Sequence, residues 1–202
     1  MARMDRAPVD RDLFDHLLTV ISSERFLQKQ GLGNEVPFFI CPYEPNEAVA
    51  MDAMRVNLVA ALQGKGVRVF GINLYDLSVE LLHKRGIWDR TLAAEPKTSK
   101  EAFKKHLQSV LDPETHLIPE IASRLSGQEF DVLFLWGVGE VYPYIRSHNV
   151  LNNLQSTAKE KPTVMFFPGE YTQGPAGASL DLFGLLHDDK YYRAFNILHY
   201  EV

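Results

Sequence analysis

Apolar residues along this chain fall into two alternating rhythms. PFFICPY (37–43), VRVFGINL (67–74), FDVLFLW (130–136) and TVMFFPGEY (163–171) are short, nearly continuous apolar runs broken by proline, glycine or polar residues. Such runs predict strands buried on both faces of a parallel sheet. Between them the spacing is helical. Asp10 is placed to cap a helix carrying Leu13, Phe14, Leu17, Leu18 and Ile21, which Gly31 and Gly33 end. Asn46 is placed to cap a second helix, from about Glu47 to Gln63, with Val49, Ala53, Val56 and Ala60 facing the sheet and Gly64 as its stop. Asp76 caps a third, with Leu77, Leu81 and Leu82, ending near Gly86.

Residues 87–127 form the longest stretch between strands and predict a helical insertion beyond a minimal crossover. Thr98 to Glu101 reads as a capping box ahead of Phe103, Leu107 and Val110, while Asp112-Pro113 starts a helix carrying Leu117, Ile121 and Leu125. Pro119 should shorten or kink that helix. Val150, Leu151 and Leu154 begin another short helix. Farther on, Gly174, Pro175 and Gly177 predict a loop, LDLFGLL reads as helix or strand, and YYRAFNI is placed to return to the sheet edge.

The alternation predicts one α/β domain over residues 1–202, in three layers, with a mostly parallel, doubly wound central sheet and right-handed crossovers. The expected strand order is 2-1-3-4. Ligands and partners of such sheets meet the carboxyl ends of the strands. The stretch Phe130–Leu154 supplies Gly137, Gly139, Glu140, Tyr142, Arg146 and His148 there, and the other strands deliver Tyr43, Asn73, Tyr75, Asp76, Glu170 and Tyr171. Tyr43, Tyr75, Glu140, Tyr142, Arg146, His148 and Tyr171 together make a candidate interaction face, because tyrosine and arginine bury large areas while keeping polar directionality. The same tyrosines could equally serve to seal the end of the sheet.

Composition narrows the chemistry. The 202 residues are 46% apolar and 11% aromatic, enough for a sizeable core. A formal charge of −5 gives no basic field to draw nucleic acid or an anionic membrane, so direct nucleic-acid binding is not expected. The single cysteine, Cys41, precludes an internal disulfide and suits a reducing cytoplasm; the charged start MARMDRAPVDRD lacks the apolar stretch of a signal peptide. The turn after the first run, CPYEPNEA, has neither a phosphate loop nor the dinucleotide-binding glycines, and Gly64-Lys65-Gly66 sits at a helix end before a strand, the wrong context for cradling phosphate. Cys41 lies inside an apolar strand, His16, His83, His106, His116, His187 and His199 lack ligand spacing, and Glu140 with Glu170 is a thin case for a divalent metal. No catalytic, cofactor-binding or metal residues are assigned.

Taken together, FFICPYEP, VFGINLYDLSVELL, FLWGVGEVYPYIRSHNVLNNL, TVMFFPGEY and LFGLLHDDKYYRAFNI resemble the BrxB family of bacteriophage-exclusion (BREX) defence systems, over roughly residues 10 to 200. That resemblance implies a cytoplasmic, non-catalytic accessory protein acting beside a phosphatase-like component (PglZ), a methyltransferase and a large ATPase. The expected partners are other BREX proteins, the PglZ component first, with a homodimer also allowed. It carries over no catalytic residues. Two other classes stay open: a degenerate nucleotide- or nucleic-acid-binding domain without a phosphate loop, using Arg146 and helix N-termini to hold anions, and a metal-assisted hydrolase using Glu140 and Glu170.

Overall fold

The computed structural model describes residues 7–30, 37–154, 157–174, 177–188 and 194–202. Its strands are β1 (Phe38–Tyr43), β2 (Val69–Asn73), β3 (Val132–Trp136), β4 (Thr163–Gly174), β5 (Gly177–Leu182), β6 (Leu186–Asp188) and β7 (Phe195–Asn196). The helices are α1 (Arg11–Ile21), α2 (Glu24–Leu27), α3 (Ala48–Gly64), α4 (Leu74–Lys84), α5 (Trp88–Ala94), α6 (Lys100–Val110), α7 (Ile118–Leu125) and α8 (Ser147–Leu154). The four apolar runs are all strands, residues 87–127 are a helical insertion, and LDLFGLL belongs to β5, a turn and β6.

A parallel sheet runs in the order β2-β3-β4-β1-β7. The expected order 2-1-3-4 is corrected: β1 pairs with β4 and β7, and β2 lies at the far edge. The reason is chemical. The run that forms β2 carries Arg68, Gly71 and Asn73, and its residues are mostly half-buried, whereas β1 is buried throughout. Edge positions suit the less apolar strand. β4 runs past the sheet, and its second half pairs antiparallel with β5, which pairs with β6.

Side-chain alternation divides the strands between two cores. Phe38, Ile40, Leu133, Leu135, Met165 and Phe167 face α4, α7 and α8. Phe39, Cys41, Val132, Phe134, Val164 and Phe166 face α1, α2 and α3. Helices on both faces define the doubly wound arrangement.

Several local signals resolve differently from expectation. Asp10 does cap α1, accepting from Leu13 N at 3.0 Å, but α1 ends at Ile21 and a new turn, α2, begins under Ser23; Gly31 and Gly33 lie outside the described residues. Asn46 falls in a 3₁₀ turn, Pro45–Glu47, and α3 starts without a side-chain cap. Its terminator is Gly66, at φ +81°, and not Gly64; Val67 N reaches back to Leu62 O at 2.9 Å. α4 leaves β2 directly, capped by Asn73 Oδ1 on Tyr75 N (2.9 Å) in place of Asp76. Ser99 caps α6, while the Thr98 hydroxyl donates to Ala94 O. Asp112 caps as expected, but the first turn is a π-turn, Pro113–Leu117, and an α-helix resumes at Ile118 with Pro119 in its first turn, where a missing N–H costs least.

The largest reversal concerns α3. Met51, Met54, Leu58 and Leu62 are buried, whereas Val49 and Val56 are 85% and 60% exposed, so the face expected against the sheet points outward.

Candidate functional site

At the carboxyl end of the parallel sheet, β1 and β3 end and β4 passes on toward its hairpin beside the start of α3. A cavity of about 220 Å³ opens there. Tyr43 from β1, Trp136 from β3 and Phe166 with Pro168 from β4 form its floor; Met51, Asp52 and Arg55 of α3 make one wall. The turn Gly137–Glu140 and Phe183, from the β5–β6 hairpin, make the other.

Local conformation explains each position. Trp136 is half-buried, and its indole lies across Gly71 of β2, where any Cβ would stand 3.0 Å from the ring. Gly137 takes a φ of +80°, turning the chain sharply out of β3, and a Cβ there would collide with Asn73 Oδ1. Glu140 N and Val141 N both return to Gly137 O, at 3.2 and 3.3 Å. Phe183 is a non-glycine residue at φ +59°, a conformation that costs about 1 kcal/mol, and its ring packs over Gly139.

Arg55 lies over the Trp136 ring, 3.7 Å from its centroid, and bonds Asp52 at 3.2 Å. Its Nε is buried with no hydrogen-bond partner. Partial desolvation at the cavity rim, then the charges of Asp52 and Asp76, raise the Glu140 carboxyl from its ordinary value against the opposing pull of Arg55. Burial chiefly, then Asp52, Cys41 and Glu140, push the Tyr43 phenol up. Cys41, fully buried, is pushed up to about 12 by desolvation, which makes it an inert core thiol. Among the described residues no cluster of three or more His, Cys, Asp or Glu is arranged to hold a metal.

The predicted face is divided. Tyr43 and Glu140 share this cavity. Tyr142 and Arg146 line a neighbouring one with Leu182, Leu185 and Leu186. Tyr75 is 42% exposed on the first turn of α4. His148 and Tyr171 are corrected: at 2% and 1% exposed they lie in the interior and cannot meet a partner. β4 does not stop at Tyr171 but continues into the hairpin, turning that ring inward, where its hydroxyl donates to Ala194 O at 2.7 Å. Glu170 is not in the wall that holds Glu140. Asp52, Arg55, Trp136 and Phe183 were missed. A signal existed for Arg55: it follows Met51 by four residues and precedes Leu58 by three, so a cation sits within the buried stripe.

Fold and site together define a doubly wound α/β protein whose strand-end crevice carries aromatic and acidic groups in place of phosphate-binding glycines. The description "BREX protein BrxB" matches residues 70–197 as a family. A BREX protein BrxB of Bacillus cereus (strain H3081.97) is 34% identical over 189 residues, 91% of this chain and 95% of that protein. Another, from Escherichia coli O9:H4 (strain HS), is 28% identical over 178 residues, 88% and 86% respectively. No solved structure matches. The chain belongs to the BrxB family and is a component of a BREX antiphage defence system.

Proposed function

We propose that this chain is a non-catalytic adaptor that joins other BREX components in the cytoplasm through the carboxyl end of its sheet, the PglZ-type phosphatase-like protein first among them. The observation that carries this reading is the chemistry of the crevice. In nucleotide-binding relatives of such sheets the helix start after the first strand receives phosphate. Here that start is fronted by Glu44 and Glu47, the Glu47 carboxylate already accepts from Val9 N at 3.1 Å, and the turn has no phosphate-cradling glycines. A tight polyanion would be repelled. Exposed or half-buried Tyr75, Tyr142 and Tyr144 beside the crevice supply the amphipathic rings that protein interfaces favour.

The test uses cells expressing the whole operon. Arg146→Glu should reduce co-purification of the PglZ-type protein with tagged adaptor, because reversed charge sets like against like at an interface. Melting temperature and abundance of the same sample separate loss of contact from loss of fold. Normal recovery with normal stability removes Arg146 from the interface.

A further inference from the structure

The geometry points to the cavity between Tyr43, Asp52, Trp136 and Glu140 as a receptor for one basic side chain, arginine or lysine, presented by a peptide segment of a partner protein. This rests on the adaptor reading and adds the chemistry of the contact.

Size comes first. About 220 Å³ falls below the roughly 300–1,000 Å³ that small-molecule and cofactor sites occupy, and suits a single long side chain. Charge decides its sign. Arg55, the cation in the wall, is committed to Asp52 and to the Trp136 ring. Glu140 has no hydrogen bond or ion pair from its carboxylate among the described residues, and it sits in the field of Asp52 and Asp76. An incoming cation would relieve that repulsion; an incoming anion would add to it.

The remaining groups are those a peptide residue would satisfy. The stem of a lysine or arginine lies well along aromatic surface, which Tyr43 and Phe183 provide. The buried, unpartnered Nε of Arg55 is a donor awaiting an acceptor, and a peptide carbonyl is one. Phe183 is held in an unfavourable backbone conformation to complete the wall. Strain of that kind persists where surrounding structure imposes it, as at ligand clamps.

The direct experiment titrates the full chain with N-acetyl-arginine N-methylamide and follows the indole resonances of Trp136 and Trp88, the two tryptophans of the chain. Trp136 should shift saturably at millimolar probe while Trp88 does not. N-acetyl-citrulline N-methylamide, the neutral isostere, should bind at least about tenfold more weakly, as should the arginine probe to Glu140→Gln, tenfold being about 1.4 kcal/mol. Glu140 is exposed at the rim, so this variant should melt at the wild-type temperature or slightly above it. Equal shifts from arginine and citrulline probes, or no Trp136 shift, overturn the inference.

Co-purification from cells carrying the operon distinguishes the two layers. Loss of the BREX partner with Glu140→Lys at unchanged melting temperature supports the pocket. Equal recovery by wild type and Glu140→Lys overturns the pocket and leaves the adaptor. Recovery of no BREX protein by the wild type overturns the adaptor reading, and the occupant with it.

Discussion

At Gly137 the backbone sits at φ +80° and the space where a Cβ would stand is taken by Asn73 Oδ1, the atom that caps α4. Gly137→Ala therefore has to strain the turn and displace a cap. It should cost about 2 kcal/mol or more in urea denaturation, the sum of a left-handed alanine and a weakened cap; a loss below about 0.5 kcal/mol would show that the turn relaxes freely. Asp131 makes a different kind of link. Both its oxygens bond Arg68, at 2.9 to 3.0 Å, tying the entrances of β2 and β3. The hydrogen bond from Arg68, against a desolvation penalty, holds the Asp131 carboxyl below its usual value. A depressed acid stabilises the fold above its unfolded value, about 3.9, and that contribution fades as pH falls through the lower native value. Asp131→Asn should accordingly lower stability at neutral pH and flatten the loss seen on acidification, read from melting temperature between about pH 6 and 2. An unchanged acid limb would mean that the exposed Arg68 side chain contributes nothing measurable.

The helices teach why some of this was readable from sequence and some was not. Strand and helix positions followed from the two apolar rhythms, because period alone separates a strand buried on both faces from an amphipathic helix. Which face of α3 turns inward did not follow. Val49, Ala53, Val56 and Ala60 recur at helical spacing, but so do Met51, Arg55, Leu58 and Leu62, and the stripe with the larger side chains buries more surface. Caps were misplaced for a related reason: Asn73 and Ser99 are as able to cap as the nearby Asp76 and Thr98, and backbone geometry chooses among them. The same ambiguity reaches the site: Asp52 and Arg55 belong to α3, whose buried face spacing alone does not choose, while Tyr43 and Glu140 need only the strand ends. The corrected orientation makes a sharp forecast. Val56→Asp should change stability by no more than about 0.5 kcal/mol, whereas Leu58→Ala should lose about 2–5 kcal/mol by leaving a cavity between α3 and the sheet. Similar losses from both in denaturant titrations would contradict the register of this helix.

At the scale of the whole molecule, the two cores share every strand of the parallel sheet's centre, so neither can melt while the other stays packed. Calorimetry should find one transition, with calorimetric and van't Hoff enthalpies in agreement. Magnesium with ATP should leave its midpoint unmoved, given the acidic start of α3; a reproducible rise at millimolar nucleotide would reveal a triphosphate site, since a ligand bound only to the folded state must raise the melting temperature. β4 adds a mechanical property. Its first half is hydrogen-bonded between β1 and β3 and its second half carries the β5–β6 hairpin, with Gly169 as the joint. No loop intervenes to absorb a load. A partner gripping the hairpin would pull along the peptide bonds of the innermost strand, and the force would be shared by two parallel ladders in shear, the loading direction that requires many hydrogen bonds to fail at once.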